Sequence, residues 1–398
     1  MRVSTYSFSG RAVADMNRAQ QSINRLQTEI SGGKKLLTPS DNPAQVASTE
    51  NLDAAIMRLD QYTKNSSLAG QRLNQQESVL DNLTDTLQRI KELSIAANSG
   101  TGNTRDRDAY RLEITELKDQ VLDYANSRTP DGAYLFSGSR TQRQPFTLTE
   151  SGAEYHGDQT QNYIRISDSR KVLANDTGDT LFTDIGNGGF TITAANTNTG
   201  TGVIQSSAVT DPAATSSDRF SIKFTSDQQF DVINNDSGNT VLSAQSFVSG
   251  GSIEFNGLSM SIEGAPQSGD IFTTTPNTHR DIFSTLQNFA NVMQSDPATP
   301  SEQAKFTQTM NTVMGDLDLA LDHIQSRRSN VGARLAYIDN TRAENDSVDY
   351  LLKKTRSDIE DTDYADAISN LQMQMNTLEA IRKTYMQVQS STLFNYLR

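Results

Sequence analysis

The chain has 398 residues, of which 35% are hydrophobic, and carries a formal net charge of −13 at pH 7. This acidic balance argues against a nucleic-acid groove or a patch for an anionic membrane, since both need a local excess of Lys and Arg. The absence of Cys rules out disulfides and Cys nucleophiles. No window approaches the 18 apolar residues of a membrane span, and the N-terminus lacks the apolar region of a cleaved secretory signal.

The first predicted helix carries an apolar heptad seam and then stops at the stretch SGGKKLLTPSDNPA, residues 31–44. The residues of the seam are Ala12, Met16, Ala19, Ile23, Leu26 and Ile30. Gly32 and Gly33 allow the chain to turn after the seam. Asn42 can then cap a new helix, whose first position suits Pro43 because the missing N–H costs nothing there.

Residues 43–98 are predicted to form a single helix, about 80 Å long at 1.5 Å per residue. The stretch NSGTGN, residues 98–103, then predicts a turn. A shorter helix follows, in which apolar residues continue the same four-three rhythm. Its apolar residues are Tyr110, Ile114, Leu117, Val121 and Tyr124.

The middle of the chain predicts β structure. YIRIS (163–167), RFSIKF (219–224) and FDVI (230–233) are short alternating or β-branched runs. SIEFNGLSMSI, residues 252–262, predicts a hairpin whose turn is Asn256-Gly257.

The C-terminal arm mirrors the N-terminal arm. A short apolar stripe begins at Ile282. A long helix, predicted over about 300–354, then starts at Pro300, where Thr299 and Glu302 fit a capping box. Its length of about 80 Å matches the first long helix, which favours an antiparallel pair. A last helix begins near Tyr364 and carries a further apolar seam.

The two extreme ends are predicted to be assembly surfaces. Residues 9–30 and 364–396 carry apolar seams but lie beyond the breaks at 31–42 and 357–363, and isolated helices of this length are marginal in water. We therefore expect both ends to be mobile in the monomer and ordered in an assembly. The predicted subunit-interface residues are Met16, Ile23, Leu26, Ile30, Tyr364, Ile368, Leu371, Met375, Leu378 and Leu393.

The chemistry-bearing residues do not form a recognisable site. His156, His279 and His323 lie far apart and lack metal-ligand spacing. The stretch Gly32–Lys35 fails the phosphate-loop pattern and follows a helix rather than a strand. We therefore expect no catalytic centre, no metal and no cofactor.

Several stretches at both ends resemble the flagellin superfamily. Among them, 131–139 is similar to a motif of its hook–filament junction member, and 326–340, 352–381 and 390–397 resemble that member better than filament flagellin. The stretches are SINRLQTEISGGKKLLTPSDNPA (22–44), QQESVLDNLTDTLQRIKELSIAANSGT (75–101), TRDRDAYRLEITELKDQVLDYANS (104–127), DGAYLFSGS (131–139), SRRSNVGARLAYIDN (326–340), LKKTRSDIEDTDYADAISNLQMQMNTLEAI (352–381) and SSTLFNYL (390–397). The resemblance covers about 1–140 and 280–398, whereas the middle matches less.

The resemblance implies an α+β fold in which both termini build a long antiparallel helical rod and a coiled coil, with an all-β domain inserted in the middle. In that fold, Gly32, Gly33, Asn42 and Pro43 would form the hinge of a spoke between two helical layers. The expected domains are an end helix and spoke (1–42), the N-terminal half of the rod (43–140), an inserted variable β domain (141–280), the C-terminal half of the rod (281–356) and a C-terminal end helix (357–398).

The resemblance also implies a structural, non-enzymatic role outside the cell. Members are exported through the flagellar type III channel without a cleaved signal and assemble as a ring between the first hook–filament junction protein and the filament. The implied partners are further copies of the chain, that junction protein, filament flagellin and an export chaperone on the C-terminal arm, around 352–398. Two alternatives stay open: a filament flagellin with an atypical outer domain, and a glycan-binding or adhesive module on a helical stalk.

Overall fold

The structure is a computed structural model that describes residues 2–98 and 104–394. None of the helices in these residues is long and apolar enough to cross a lipid bilayer. The α-helices are α1 (Arg2–Gly32), α2 (Pro43–Asn98), α3 (Thr104–Ala125), α4 (Ile282–Val292), α5 (Pro300–Glu360) and α6 (Tyr364–Phe394). A single π-helical turn spans Asp179–Thr183.

The strands all lie between α3 and α4. They are β1 (Phe146–Thr149), β2 (Gly152–Tyr155), β3 (Tyr163–Arg165), β4 (Lys171–Leu173), β5 (Ile185–Ala194), β6 (Val203–Val209), β7 (Phe220–Ser226), β8 (Gln229–Asn234), β9 (Thr240–Ser246), β10 (Ser252–Phe255), β11 (Leu258–Glu263) and β12 (Ile271–Arg280). Strands β1–β2 and β3–β4 form two small hairpins, β10-β11-β6 form one sheet, and β5-β12-β7-β8-β9 form another. Every pairing is antiparallel, so the predicted α+β architecture is confirmed.

The chain divides into two compact units. The terminal unit comprises Met1–Lys64 and Thr341–Arg398, and the central unit comprises Asn65–Asn340. In the central unit α2 and α5 run antiparallel, since Glu77 pairs with Arg328 while Lys91 pairs with Asp318. This direction is the one that the matching helix lengths predicted.

The helices of the central unit share one hydrophobic core, which we call the rod core. Its fully buried residues include Leu73, Leu80, Leu83, Leu87, Ile90, Ile114, Val121, Met310, Val313, Leu317 and Ile324, of which Ile114 and Val121 belong to the apolar pattern predicted for α3. Four aromatic rings extend this core where the chain leaves α3 and enters α4. The ring centroids of Phe136 and Phe182 lie 5.6 Å apart, and those of Phe146 and Phe283 lie 5.3 Å apart. Edge and tilted contacts at these distances stabilise aromatic pairs beyond their burial.

A buried ionic contact joins both long helices to the loop before the π-helical turn. Asp176 is 6% exposed and accepts two hydrogen bonds of 2.9 Å from the guanidinium of Arg334. The side-chain amide of Gln76, also buried, donates to the same carboxylate. The two hydrogen bonds from Arg334 replace the hydration that the carboxylate loses when it is buried.

The predicted hairpin at 252–262 is confirmed as β10 and β11. Asn256 and Gly257 have φ angles of 44° and 73°, the left-handed pair that a tight hairpin turn requires. One face of the hairpin is apolar and buried, and it consists of Ile253, Phe255, Leu258, Met260 and Ile262. The long strands β5 and β12 were not predicted, because their glycines, threonines and polar residues carry no clear alternation.

The predicted start of the first long helix at Pro43 and its end at Asn98 agree with α2. The predicted turn over 98–103 lies mostly outside the described residues. Helix α5 begins at Pro300 as predicted but continues to Glu360 rather than about 354. The C-terminal break is therefore only three residues long, because the stretch TRSDIE contains no residue that ends a helix.

Candidate assembly interface

The terminal helices α1 and α6 pack on each other within one chain. Ala19, Ile23 and Leu378 are buried between them, and Met16 and Leu371 pack against these three. The helices run antiparallel, since the end of α1 meets the start of α6 at Thr362 whereas Ala12 lies near Ile381. One copy thus buries part of the predicted seam, which the sequence analysis assigned wholly to neighbouring copies.

A second row of apolar side chains on α6 stays exposed. Ile368 and Met375 are 51% and 53% exposed, and Tyr364 and Met386 are exposed to a similar extent. Their spacings of 4, 7 and 11 residues place them on one face of an α-helix. We call Tyr364, Ile368, Met375 and Met386 the exposed row. Exposed apolar side chains that recur on one face of a helix make that face a candidate interaction surface.

The predicted interface residues therefore fall into separate groups. Met16, Ile23, Leu371 and Leu378 belong to the contact between α1 and α6, whereas Leu26 and Ile30 are half-buried on α1. Three others, Tyr364, Ile368 and Met375, are exposed. The side chain of Leu393 lies outside the described residues. Ala367, which is buried on α6, was missed because a lone Ala carries little hydrophobic signal.

The two helix breaks, far apart in sequence, meet in a short backbone ladder. The N–H of Thr362 donates to the carbonyl of Gly33 at 2.9 Å, and the N–H of Lys35 donates to the carbonyl of Glu360 at 2.8 Å. Gly33 has a φ of 69°, and an added Cβ would lie 3.0 Å from the Tyr364 hydroxyl. The positive φ and the close hydroxyl favour glycine at that position. Gly32 is the last residue of α1 and has open space around it.

The lysine pair of the break contacts the end of α5. Lys34 forms an ion pair with Glu360. The ammonium group of Lys35 donates to the main-chain carbonyl of Asp358 at 2.7 Å. A cation at this position satisfies a carbonyl that the helix leaves without a partner and interacts favourably with the helix dipole.

Local hydrogen bonds shape the rest of the N-terminal break. Asp41 accepts from the N–H groups of Thr38 and Leu37, at 2.9 and 3.2 Å. The hydrogen bond from Thr38, with the nearby charge of Arg25, lowers the pKa of the Asp41 carboxyl below its usual range. Asn42 accepts from the N–H of Gln45 at 3.2 Å and so caps α2, with Pro43 as the first helical residue.

The C-terminal break has its own cap, which the sequence analysis missed. Asp363 accepts from the N–H groups of Ala365 and Asp366, at 2.9 and 3.3 Å. Thr362 is 9% exposed, and its hydroxyl donates to the carbonyl of Glu29. The signal for this cap was the Asp-Thr-Asp stretch directly before an apolar helical pattern.

The described residues contain no group of three or more His, Asp or Glu side chains that could hold a metal ion. Each histidine instead contacts a local partner. His156 lies 2.8 Å from the Thr147 hydroxyl, His279 pairs with Asp184, and His323 lies 2.8 Å from the carbonyl of Thr180. Burial lowers the pKa of His323, which favours a neutral ring in that position.

Paired terminal helices, long antiparallel helices and a β region inserted between them define a flagellin-like subunit. Residues 3–141 match the helical N-terminal region of bacterial flagellin. Residues 193–276 match a D2-like domain of flagellar hook-associated protein 1.

Solved structures agree with this class. The flagellar junction protein FlgL from Legionella pneumophila is 33% identical, with a TM-score of 0.70 that covers 80% of this chain and 100% of that one. FlgL from Xanthomonas campestris is 30% identical, with a TM-score of 0.71 over 77% and 99%. The chain belongs to the FlgL family, also named flagellar hook-associated protein 3.

A curated relative from Escherichia coli (strain K12), flagellar hook-associated protein 3, is 30% identical over 185 residues. The aligned part is 46% of this chain and 58% of that relative. The chain thus spans less than two thirds of the length of this curated relative.

Proposed function

We propose that this chain is a structural subunit of the bacterial flagellum that forms a ring at the junction between the hook-associated ring and the flagellin filament. Membership of the FlgL family supports this role, as does the name junction protein given to the Legionella relative. The chain acts outside the cell and reaches its place through the flagellar export channel. It has no enzymatic role.

The observation that carries the proposal is the unequal burial of the two sides of α6. One side packs on α1, whereas Ile368 and Met375 on the neighbouring side are about half exposed. Burying a large apolar side chain fully stabilises a protein by about 1.5–3 kcal/mol. Association with further copies supplies that burial, since packing on α1 does not cover the exposed row.

The exposed row is also the surface on which we propose that partners bind. In the ring, further copies of the chain cover the exposed row, while the first hook–filament junction protein and filament flagellin contact the ring from its two sides. Before export, a chaperone binds the C-terminal arm around 352–398. A chaperone of this kind needs an apolar groove that accepts a helix, and the exposed row fits such a groove.

The test replaces Ile368 with Asp. The purified variant should keep the circular dichroism and melting temperature of the native chain, because Ile368 is exposed in the monomer. It should not be retained by hooks isolated from cells that lack this chain, because assembly would bury an unpaired carboxylate.

The matched control is Asn370→Asp, which adds the same charge to α6 at an exposed position away from the exposed row. Retention equal to that of the native chain is expected for this control. If the Ile368 variant were retained as well as the control, the exposed row would not be the assembly surface. Leu371→Asp is a poorer probe, since Leu371 also packs against α1 within one chain.

A further inference from the structure

The sheets beyond the rod core have a hydrophobic core of their own. We call residues 186–279 the outer module. Among the described residues, its buried cluster shares no member with the rod core. The buried residues of the module are Ile192, Ile204, Phe220, Ile222, Phe224, Phe230, Val232, Ile253, Phe255, Leu258, Met260, Ile262 and Phe272. In the part of the chain that the structure describes, no helical residue belongs to this cluster or packs against it as a partly buried apolar residue.

The chain enters and leaves the outer module through two adjacent strands. Gly186 of β5 pairs with His279 of β12, and Ile185 pairs with Arg280. The register of the two strands shifts between Asn277 and His279. A two-stranded ribbon with an irregular register bends more easily than a continuous sheet.

Four polar side chains of α5 form hydrogen bonds with the main chain of the module. Positions 301, 305, 308 and 311 of α5 lie along one stripe of the helix, on the side away from the apolar stripe that faces the rod core. The contacts run from Ser301 to the carbonyl of Asn198 (3.2 Å), from Lys305 to the carbonyl of Asn196 (2.7 Å), from the N–H of Ile204 to the side-chain oxygen of Gln308 (2.5 Å) and from Asn311 to the carbonyl of Ile204 (3.4 Å). We call these four side chains the polar clamp.

An ion pair and a cleft lie beside the polar clamp. Arg280, at the end of β12, lies 3.1 Å from the carboxylate of Asp316 on α5. A cleft of about 360 Å³ lies beside the hydrogen bonds of the clamp, between β5, β6 and α5, and polar side chains such as Thr312 and Ser207 form much of its lining. Water can therefore reach the hydrogen bonds of the clamp from one side.

The hydrogen bonds of the clamp and the apolar core of the module differ in how strongly they resist separation. Water replaces the three neutral hydrogen bonds of the clamp at low net cost, and it hydrates the Lys305 ammonium when that group leaves the carbonyl of Asn196. Separating buried apolar side chains does not have this compensation. The contact with α5 should open long before the core of the module does.

We propose that the outer module is a docked unit that detaches from α5 without unfolding, pivoting on the β5–β12 ribbon, and that the polar clamp sets its docked position. Gln308 is the central residue of the clamp, because it is buried and bonds a buried main-chain N–H.

The test is a distance measurement between two spin labels in the full chain. Labels at Gln303→Cys on α5 and Val248→Cys on the module attach selectively, because the chain has no other Cys. Both positions are exposed. We expect a main docked distance in the otherwise native chain. In Gln308→Leu, a second, broader population of distances should grow about tenfold, the effect of losing a buried hydrogen bond.

Hydrogen exchange separates detachment from unfolding. The amides of Ile222 and Val232, in strands at the core of the module, should exchange equally slowly in the native chain and in the variant. Gln287→Leu, a change of the same kind on α4 outside the clamp, should leave the distances unchanged. Should Gln308→Leu fold poorly, Asn311→Ala weakens the same clamp more mildly and should shift the distances in the same direction.

Two results would overturn the proposal. One is an unchanged distance distribution in both clamp variants, which would show that the clamp does not hold the module. The other is faster exchange at Ile222 and Val232 in step with the new distances, which would show that the module unfolds instead of detaching.

Discussion

The terminal helix pair and the central unit bury their apolar residues to very different extents. Leu73, Leu80 and Leu87 share one heptad position of α2 and are fully buried in the rod core. Ile368 and Met375 also share a heptad position, on α6, and are about half exposed. The heptad pattern alone does not distinguish the two cases. The number of elements that pack around each helix does, since a pair of helices covers only one side of each partner.

The largest effect should come from the rod core. Replacing Phe283 with Ala should lower the free energy of unfolding by about 3–5 kcal/mol, the usual cost of a cavity left by a buried ring. Phe283 is fully buried, and its ring lies near those of Phe146 and Phe182. Chemical denaturation measures the loss. Val248→Ala, at a position that is 71% exposed, should change stability little, and a similar loss in both variants would contradict the assignment of the core.

A smaller effect should depend on pH. Burial raises the pKa of Asp281, the N-cap of α4, from 3.8 to about 6. Between those values the folded chain binds more protons than the unfolded chain, so this residue lowers the free energy of unfolding as the pH rises. Asp281→Asn keeps a capping oxygen and removes the titration.

The Asn variant should therefore gain stability relative to the native chain between pH 4 and pH 7. The gain should be about 3 kcal/mol at most, since one pKa unit corresponds to about 1.4 kcal/mol. Denaturation at several pH values measures it. A difference between the two proteins that is independent of pH would show that the carboxyl of Asp281 titrates normally.

The terminal pair should respond more weakly. Leu378→Ala removes a side chain that is 8% exposed and belongs to a cluster of only a few residues. We expect a loss of about 2 kcal/mol, at the low end for a buried Leu, confined to α1 and α6. Hydrogen exchange at Ala19 and Ile23 should become faster, while exchange in the rod core stays constant. Met386→Ala, on the exposed row, is the control and should leave the exchange of α1 unchanged in the monomer.

The smallest effect should come from the ion pair between the two helix breaks. Lys34 and Glu360 are partly exposed, and such pairs contribute about 0.2–1 kcal/mol. Lys34→Glu and Glu360→Lys should each speed exchange at the amides of Lys35 and Thr362 slightly. The double variant, which restores opposite charges, should exchange almost as slowly as the native chain. Exchange in the double variant as fast as in either single variant would show that the backbone ladder alone holds the breaks.

Much of the fold could be predicted because local signals decide it. Asn42 with Pro43 predicted the start of α2, and the Asn256-Gly257 turn predicted the β10–β11 hairpin. Each rests on the conformational preference of one or two residues. In contrast, β5 and β12 carry weak local preferences, and they form strands because they pair with each other and β12 pairs with β7. The paired residues of β5 and β12 lie up to 95 residues apart in sequence, as in the pair of Ile185 and Arg280.

The sequence predicted the candidate interface only as a set of residues. It did not distinguish those that pack on α1 from those that are exposed. The heptad spacing predicted Ile23, Leu371 and Leu378 as subunit-interface residues together with Ile368 and Met375. In the structure the first three pack between α1 and α6 of one chain, whereas the other two are exposed. The structure separates them because α1 approaches α6 from one side. Direction of approach is a property of the folded chain, since it depends on where the two breaks bring the helices together.

The amino-acid sequence by itself determined where the helices begin, which positions are apolar and the absence of thiol chemistry, because those properties belong to single residues and their near neighbours. Only the tertiary structure decided which apolar side chains are buried within one chain, how the ladder joins Gly33 to Thr362, and where the outer module contacts α5. Those outcomes depend on segments that are distant in sequence reaching the same place, and no local preference specifies that meeting.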